Sequence, residues 1–209
     1  MEFRSPSFPD GGPIPPEHAF CSPDPDQHAV FAPNRNPAFE WSDPPPGTKS
    51  FVLMCHDPDV PSKPDDVNQE GREVPPDLPR VDFFHWAVAG LRPERRSIAA
   101  GEFSDGVVPR GKSGPAGPDG SCHGINDYTS WFAGDEEMGG DYFGYDGPCP
   151  PWNDSLVHHY VFTLYALDIA ECPLPGTFTG GELRDALQDH ILEEARVTGT
   201  YTLNQRLLP

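Results

Sequence analysis

The chain has 209 residues, 36% of them hydrophobic and 11% aromatic, enough to bury the core of one domain, taken here as 1–209. Its 33 acidic and 14 basic residues leave a formal net charge of −19, which excludes nucleic acid as the main partner and disfavours anionic lipid surfaces. No apolar run approaches the roughly 18 residues of a membrane span, so no integral membrane association is expected, and 21 Gly with 28 Pro favour short strands and turns over a helical bundle.

The first 48 or so residues are Pro-rich but carry Phe3, Phe8, Ile14, Phe20, Phe31, Phe39 and Trp41. Such anchors predict an extended segment, residues 1–30, draped over the core. The opening MEFRSPSFPDGGPIPPEH has no apolar run of signal-peptide length, so a cytoplasmic protein is expected. Ser50–His56 (SFVLMCH) is a continuous apolar run and predicts a strand buried on both faces. Val60–Arg80, with five prolines and many charges, predicts a long loop. Val81–Ala89 (VDFFHWAVA) predicts a second core strand, residues 92–155 read mostly as loop, and His158–Asp168 (HHYVFTLYALD) predicts a third strand. Thr179 and Glu182 form a T-x-x-E capping box. Leu183, Leu187, Ile191 and Ala195 follow at four-residue spacing, which predicts a helix over Gly181–Arg196 capped by Gly199, then a short closing strand at 199–203. The five cysteines, Cys21, Cys55, Cys122, Cys149 and Cys172, are odd in number and form no C-x-x-C pair, so free thiols are expected.

Polar groups gather at the strand ends. Asp57 and Asp59 flank Pro58 after the first core strand, and prolines 58 and 61 stiffen that backbone. Read alone, the pair is a strand-ending Asx turn. His85 sits between Phe84 and Trp86, where a satisfied core histidine is the ordinary reading. His158 and His159 open the third strand, and alternation sends His159 away from any site that holds His158. Two imidazoles meeting a carboxylate would make a small anion site, with Gly147 and Cys149 amides completing an oxygen cradle.

Together DPDVP (57–61), FHW (84–86), GINDY (124–128) and GPCPP (147–151) followed by HHYVFTLYALD resemble the phosphatidylethanolamine-binding protein family, in its bacterial Raf-kinase-inhibitor-like branch. The resemblance runs from about Phe31 to Leu203, with its motifs in the family's order. It implies a mainly β fold: an antiparallel sandwich of two sheets, one a Greek key, with a C-terminal helix outside and long Pro/Gly loops. It implies a pocket for a phosphate-like anion or phospho-head group, lined by Asp57, Phe83, His85, Pro150, Pro151, His158 and Tyr160, with no metal and no organic cofactor. One departure is plain. The family's H-R-Y reads His158-His159-Tyr160 here, and no Lys or Arg occurs from Ser113 to Leu183. The anion would then depend on imidazoles and amides, unless an Arg from 60–112 reaches in. In that case affinity should rise as pH falls through about 6.5. The long segment after DPDVP would cover the pocket or a neighbouring subunit of a homodimer.

Three function classes follow. The sequence favours a binding protein. An inhibitory protein acting on a kinase or protease is the alternative. A hydrolase built on the Asp/His cluster, or on Cys149 as nucleophile, is disfavoured, because neither G-x-S-x-G nor H-E-x-x-H occurs.

Overall fold

The computed structural model describes residues 1–208. Its strands are β1 (Glu2–Arg4), β2 (Cys21–Asp24), β3 (His28–Phe31), β4 (Phe39–Ser42), β5 (Ser50–Pro61), β6 (Arg80–Leu91), β7 (Ser97–Ile98), β8 (Cys122–His123), β9 (His158–Leu167) and β10 (Ile191–Tyr201). Two short α-helices accompany them, α1 (Tyr128–Trp131) and α2 (Gly180–Ala186). The main sheet has the order β10-β9-β5-β6-β8, with every pairing antiparallel. Strand β9 returns from a long excursion to lie beside β5, which makes β9-β5-β6-β8 a Greek key. A three-stranded sheet, β1-β4-β7, faces it, and β2-β3 form a separate hairpin.

The apolar run of β5 explains the layering. Phe51, Leu53 and Cys55 face the sandwich core, where Phe39 and Trp41 of β4 meet Phe162 and Phe51. Val52 and Met54 face the other side, under Phe178, Leu183 and Leu187. Both faces of the sheet are thus covered, as an uninterrupted run requires. The N-terminal segment packs on this core. Phe8, Ile14 and Phe20 are buried, and residues 11–14 hydrogen-bond to Thr198 and Thr200, covering that end of the outer edge of β10.

Two expectations fail. The helix ends at Ala186, and Ile191–Tyr201 is an eleven-residue strand paired with β9. Four-residue spacing fits a period of 3.6 and equally a period of 2, and alternating burial along β10 shows that the second applies. Gly199 is therefore no helix cap. It lies in the strand, where a Cβ would meet Ile14 Cγ1 at 2.4 Å. The capping box is present, Thr179 and Glu182 bonding each other's backbone N–H. The second failure concerns the thiols. Cys21 and Cys149 form a disulfide across 128 residues, a separation that leaves no local spacing signal, while Cys55, Cys122 and Cys172 are free. No helix among the described residues is long and apolar enough to cross a membrane.

Candidate functional site

Strands β5, β6 and β9 are neighbours, so their matching ends converge although the chain between them is long. Pairing is irregular between Cys55 and His56 and again between Asp57 and Val60. Such bulges re-aim side chains, and here Asp57 turns inward while β5 runs on to Pro61. A cavity of about 410 Å³ opens at this end of the sandwich. All seven residues expected at the site line it: Asp57, Phe83, His85, Pro150, Pro151, His158 and Tyr160.

The polar floor is organised around His158. Its Nδ1 donates to Asp57 Oδ2 at 2.6 Å and its Nε2 to Asp154 Oδ2 at 3.0 Å. Burial works to lower this imidazole's pKa, but the hydrogen bonds and charges of Asp154 and Asp57 outweigh it and raise the value to about 9. Asp154 in turn takes Arg80 in a fork, at 2.6 and 3.1 Å. Burial pushes its carboxyl up, yet the bonds from His158 and Arg80 prevail and hold it below the ordinary range. The other oxygen of Asp57 accepts the Asp59 amide at 2.7 Å, so the Asx turn read from sequence is real and coexists with the site.

His85 is set differently. Its Nδ1 bonds the Asp146 carbonyl oxygen at 2.8 Å, and rings of Phe83, Tyr128 and Tyr160 enclose it with centroids 4.9 to 5.5 Å away. Burial lowers its pKa to about 4. The loop that carries Asp146 is itself anchored, because the Asp146 carboxylate accepts from Lys112 at 2.5 Å, Asn34 at 2.7 Å and Asn126 at 2.8 Å. The Tyr160 hydroxyl is buried with no hydrogen-bond partner among the described residues.

Several expectations about the anion change. His158 spends both ring nitrogens on carboxylates, so it does not point a donor at a ligand. The Gly147 amide donates to Asn34 Oδ1, so it is not free to complete an oxygen cradle. No arginine completes the anion site: Arg80, at the start of β6, is spent on Asp154 and is absent from the cavity lining. Neither imidazole titrates near 6.5, which removes the basis for an affinity that rises through that pH. His159 points outward, as alternation requires, and bonds Asp59 at 2.8 Å.

Sequence reasoning missed most of the wall. Phe20, Phe31, Tyr128, Trp131 and Phe132 line the cavity, together with Val60 and Pro61 of DPDVP and with Pro64 and Val67 of the long segment that follows it. Tyr128 belongs to GINDY, which also supplies Asn126 for Asp146 and Asp127 for the Phe84 amide. The Cys21–Cys149 disulfide borders the same space, tying the N-terminal hairpin to the rim. A second cleft, of about 480 Å³, lies between Arg72, Trp152 and Arg206. Its arginines are already paired, Arg72 with Asp66 and Arg206 with Glu73, and the His28 ring hydrogen-bonds Glu70.

Comparison with known proteins gives one answer. The family described as phosphatidylethanolamine-binding protein matches residues 4–202. A UPF0098 protein of Methanothermobacter thermautotrophicus is 30% identical over 177 residues, covering 85% of this chain and 89% of its own. The crystal structure of CT736, a PEBP homolog from Chlamydia trachomatis, superposes with a TM-score of 0.63 at 26% identity over 95% of both chains. Escherichia coli YbcL shares the fold, with a TM-score of 0.67 at 24% identity, covering 96% of this chain and 97% of its own.

Proposed function

This chain belongs to the phosphatidylethanolamine-binding protein family, and from that premise we propose that it binds a small ligand with a phosphate-type head group and an apolar body. The observation that carries the reading is the convergence of Asp57, His85, His158 and Tyr160 at the floor of an otherwise aromatic cavity. A bare phosphate would leave most of about 410 Å³ unfilled, and the walls offer rings and prolines. The head group therefore rests on the polar floor, and the body of the ligand lies along Phe20, Tyr128 and Phe132.

The role is holding the ligand, and two features favour that over hydrolysis. The Cys149 sulfur is bonded to Cys21, and both nitrogens of His158 are engaged. The alternative, an inhibitory protein that docks on a kinase or protease, draws support from Phe31 and Trp131, which stand 61% and 49% exposed at the cavity mouth. The Cys21–Cys149 disulfide favours an oxidising compartment over the cytoplasmic one expected from the sequence.

The test is a thermal-shift screen of phosphate, phosphoethanolamine, glycerol phosphate and phenyl phosphate, followed by crystals of the best binder. A ligand at a hundred times its Kd should stabilise the fold by about 2.7 kcal/mol. No shift with any of them at 10 mM or so, or ligand density outside the Asp57/His85 cavity, overturns the reading.

A further inference from the structure

The floor of the cavity holds a directional signal in its hydrogen bonds. A backbone carbonyl only accepts, so the His85 Nδ1 that faces the Asp146 oxygen at 2.8 Å must carry the hydrogen. The neutral ring then has one tautomer, with a bare lone pair on Nε2. The only ring hydrogen bond of His85 among the described residues is the one at Nδ1, and His85 lines the cavity. The tautomer is held from behind, because the loop carrying the Asp146 carbonyl is pinned through the Asp146 carboxylate by Lys112, Asn34 and Asn126.

We propose that His85 Nε2 is a fixed hydrogen-bond acceptor that makes the site select head groups bringing a hydrogen to it, a phosphate monoester in its singly protonated form above all, over equally charged anions that bring none. The inference rests on the phosphate-type reading of the site. A protonated phosphoryl group places P–O–H against Nε2. A sulfate ester of the same shape places an oxygen lone pair there, against another lone pair. A site built to receive a hydrogen rejects the analogue that lacks it, because the seated ligand shuts the acceptor off from water and leaves it unpaired.

The surroundings do not reverse this polarity. The charged and titratable groups facing the ring are Asp57 on β5, His158 and Tyr160 on β9, Tyr128 on α1, and the Asp146–Lys112 pair behind the loop. Asp57 favours a second proton on His85, but burial dominates and keeps the ring neutral until about pH 4. Imidazolium at His158 gives both its hydrogens to carboxylates. Tyr128 gives its hydroxyl hydrogen to the Gly147 carbonyl. No Lys or Arg lines the cavity to reward a second negative charge.

Phenyl phosphate and phenyl sulfate provide the test. At pH 5 both are monoanions of nearly the same shape, and they differ by one hydrogen, since a phosphate monoester takes its last proton near pH 6. Calorimetry on the full chain at constant ionic strength should show phenyl phosphate at least tenfold tighter than phenyl sulfate at pH 5. Its affinity should fall as pH rises through about 6 and approach the sulfate's by pH 8. The His85→Gln variant offers an amide that can turn either N–H or C=O to the ligand, and should bring the ratio at pH 5 to within about threefold of unity. Equal affinities at pH 5 in the wild type, or a phosphate affinity that climbs with pH, overturn the proposal while leaving the binding function standing. Failure of both compounds to bind at any pH overturns the phosphate-type reading and the proposal with it. The wild-type comparison needs no variant, so it decides the matter even where His85→Gln does not fold.

Discussion

The buried chain Arg80–Asp154–His158–Asp57 should be visible in the pH dependence of stability. The folded protein holds the His158 imidazolium up to about pH 9, whereas an unfolded histidine loses its proton near 6.5. A pKa raised by folding stabilises fully below the unfolded value, and the contribution is lost as pH climbs through the folded one. At about 1.4 kcal/mol for each pH unit of the gap, the loss between pH 6.5 and 9.5 comes to about 3 kcal/mol. In a domain of this size that is a drop in Tm of about 6–12 °C. The buried Cys55 thiol, pushed up by burial, gives a slope of the same sign, so a control is needed. Guanidinium unfolding at pH 6.5, 8 and 9.5 of the wild type and of His158→Gln separates the two, since the variant keeps Cys55. The wild type should lose about 3 kcal/mol more than the variant over this range. A wild-type profile parallel to that of the variant would refute the account of His158 as a charge locked between two carboxylates.

On the acid side the sign is opposite. Burial holds His85 and His123 neutral down to about 4, so stability should fall as pH drops from 6.5 through 4, and the His85 ring resonances should stay fixed between pH 8 and 5; a midpoint near 6.5 in an NMR titration would contradict its burial. Cys149→Ser should cost up to about 5 kcal/mol, the closure entropy of so long a loop, and should match the wild type treated with a reductant. If reductant leaves the wild-type unfolding midpoint unmoved, the cross-link is not formed. Leu187→Asp places a carboxylate beside Phe178 and Leu183 under the sheet and should cost roughly 3 kcal/mol or more, read as a lowered Tm.

What could be read from sequence was whatever the chain states locally. The β5 run, the aromatic β9 and the Thr179/Glu182 box each carry their whole signal within ten residues or so, and each forms as expected. Asp57 and His158 were legible because they stand near the ends of such elements and His85 because it lies within one, all in motifs in a known order. What stayed hidden was made by distance. Arg80 and Asp154 are 74 residues apart and each reads alone as a loop charge. Asn34, Asn126 and Asp146 read as turn formers, yet they meet in the interior and set the loop behind His85. Cys21 and Cys149 share no pattern that a spacing rule detects. The β10 strand failed for another reason, an ambiguity in the signal itself, because every fourth residue lies on one face of a helix and on one face of a strand.

The histidine at position 159 bears on selectivity in a way that the family comparison alone obscures. An arginine between His158 and Tyr160 would alternate outward, as His159 does at 53% exposure, and could not line the cavity on this backbone. Its absence therefore leaves the floor untouched. The charges at and beneath the cavity floor are the Asp57 and Asp154 carboxylates, the His158 imidazolium and the Arg80 guanidinium, linked end to end. Two negative and two positive groups in alternation cancel at any distance much larger than their spacing, so they project little field into the space above. Taking them out of water is costly, and removing any one would leave a neighbour unpaired, which ties the geometry of three strand ends and the 60–80 segment into a single unit. A neutral floor does not attract a ligand by charge. Recognition then passes to the direction of individual hydrogen bonds and to the fit of an apolar body against the rings. Those are the two properties that the Nε2 atom of His85 and the wall of Phe20, Tyr128 and Phe132 supply.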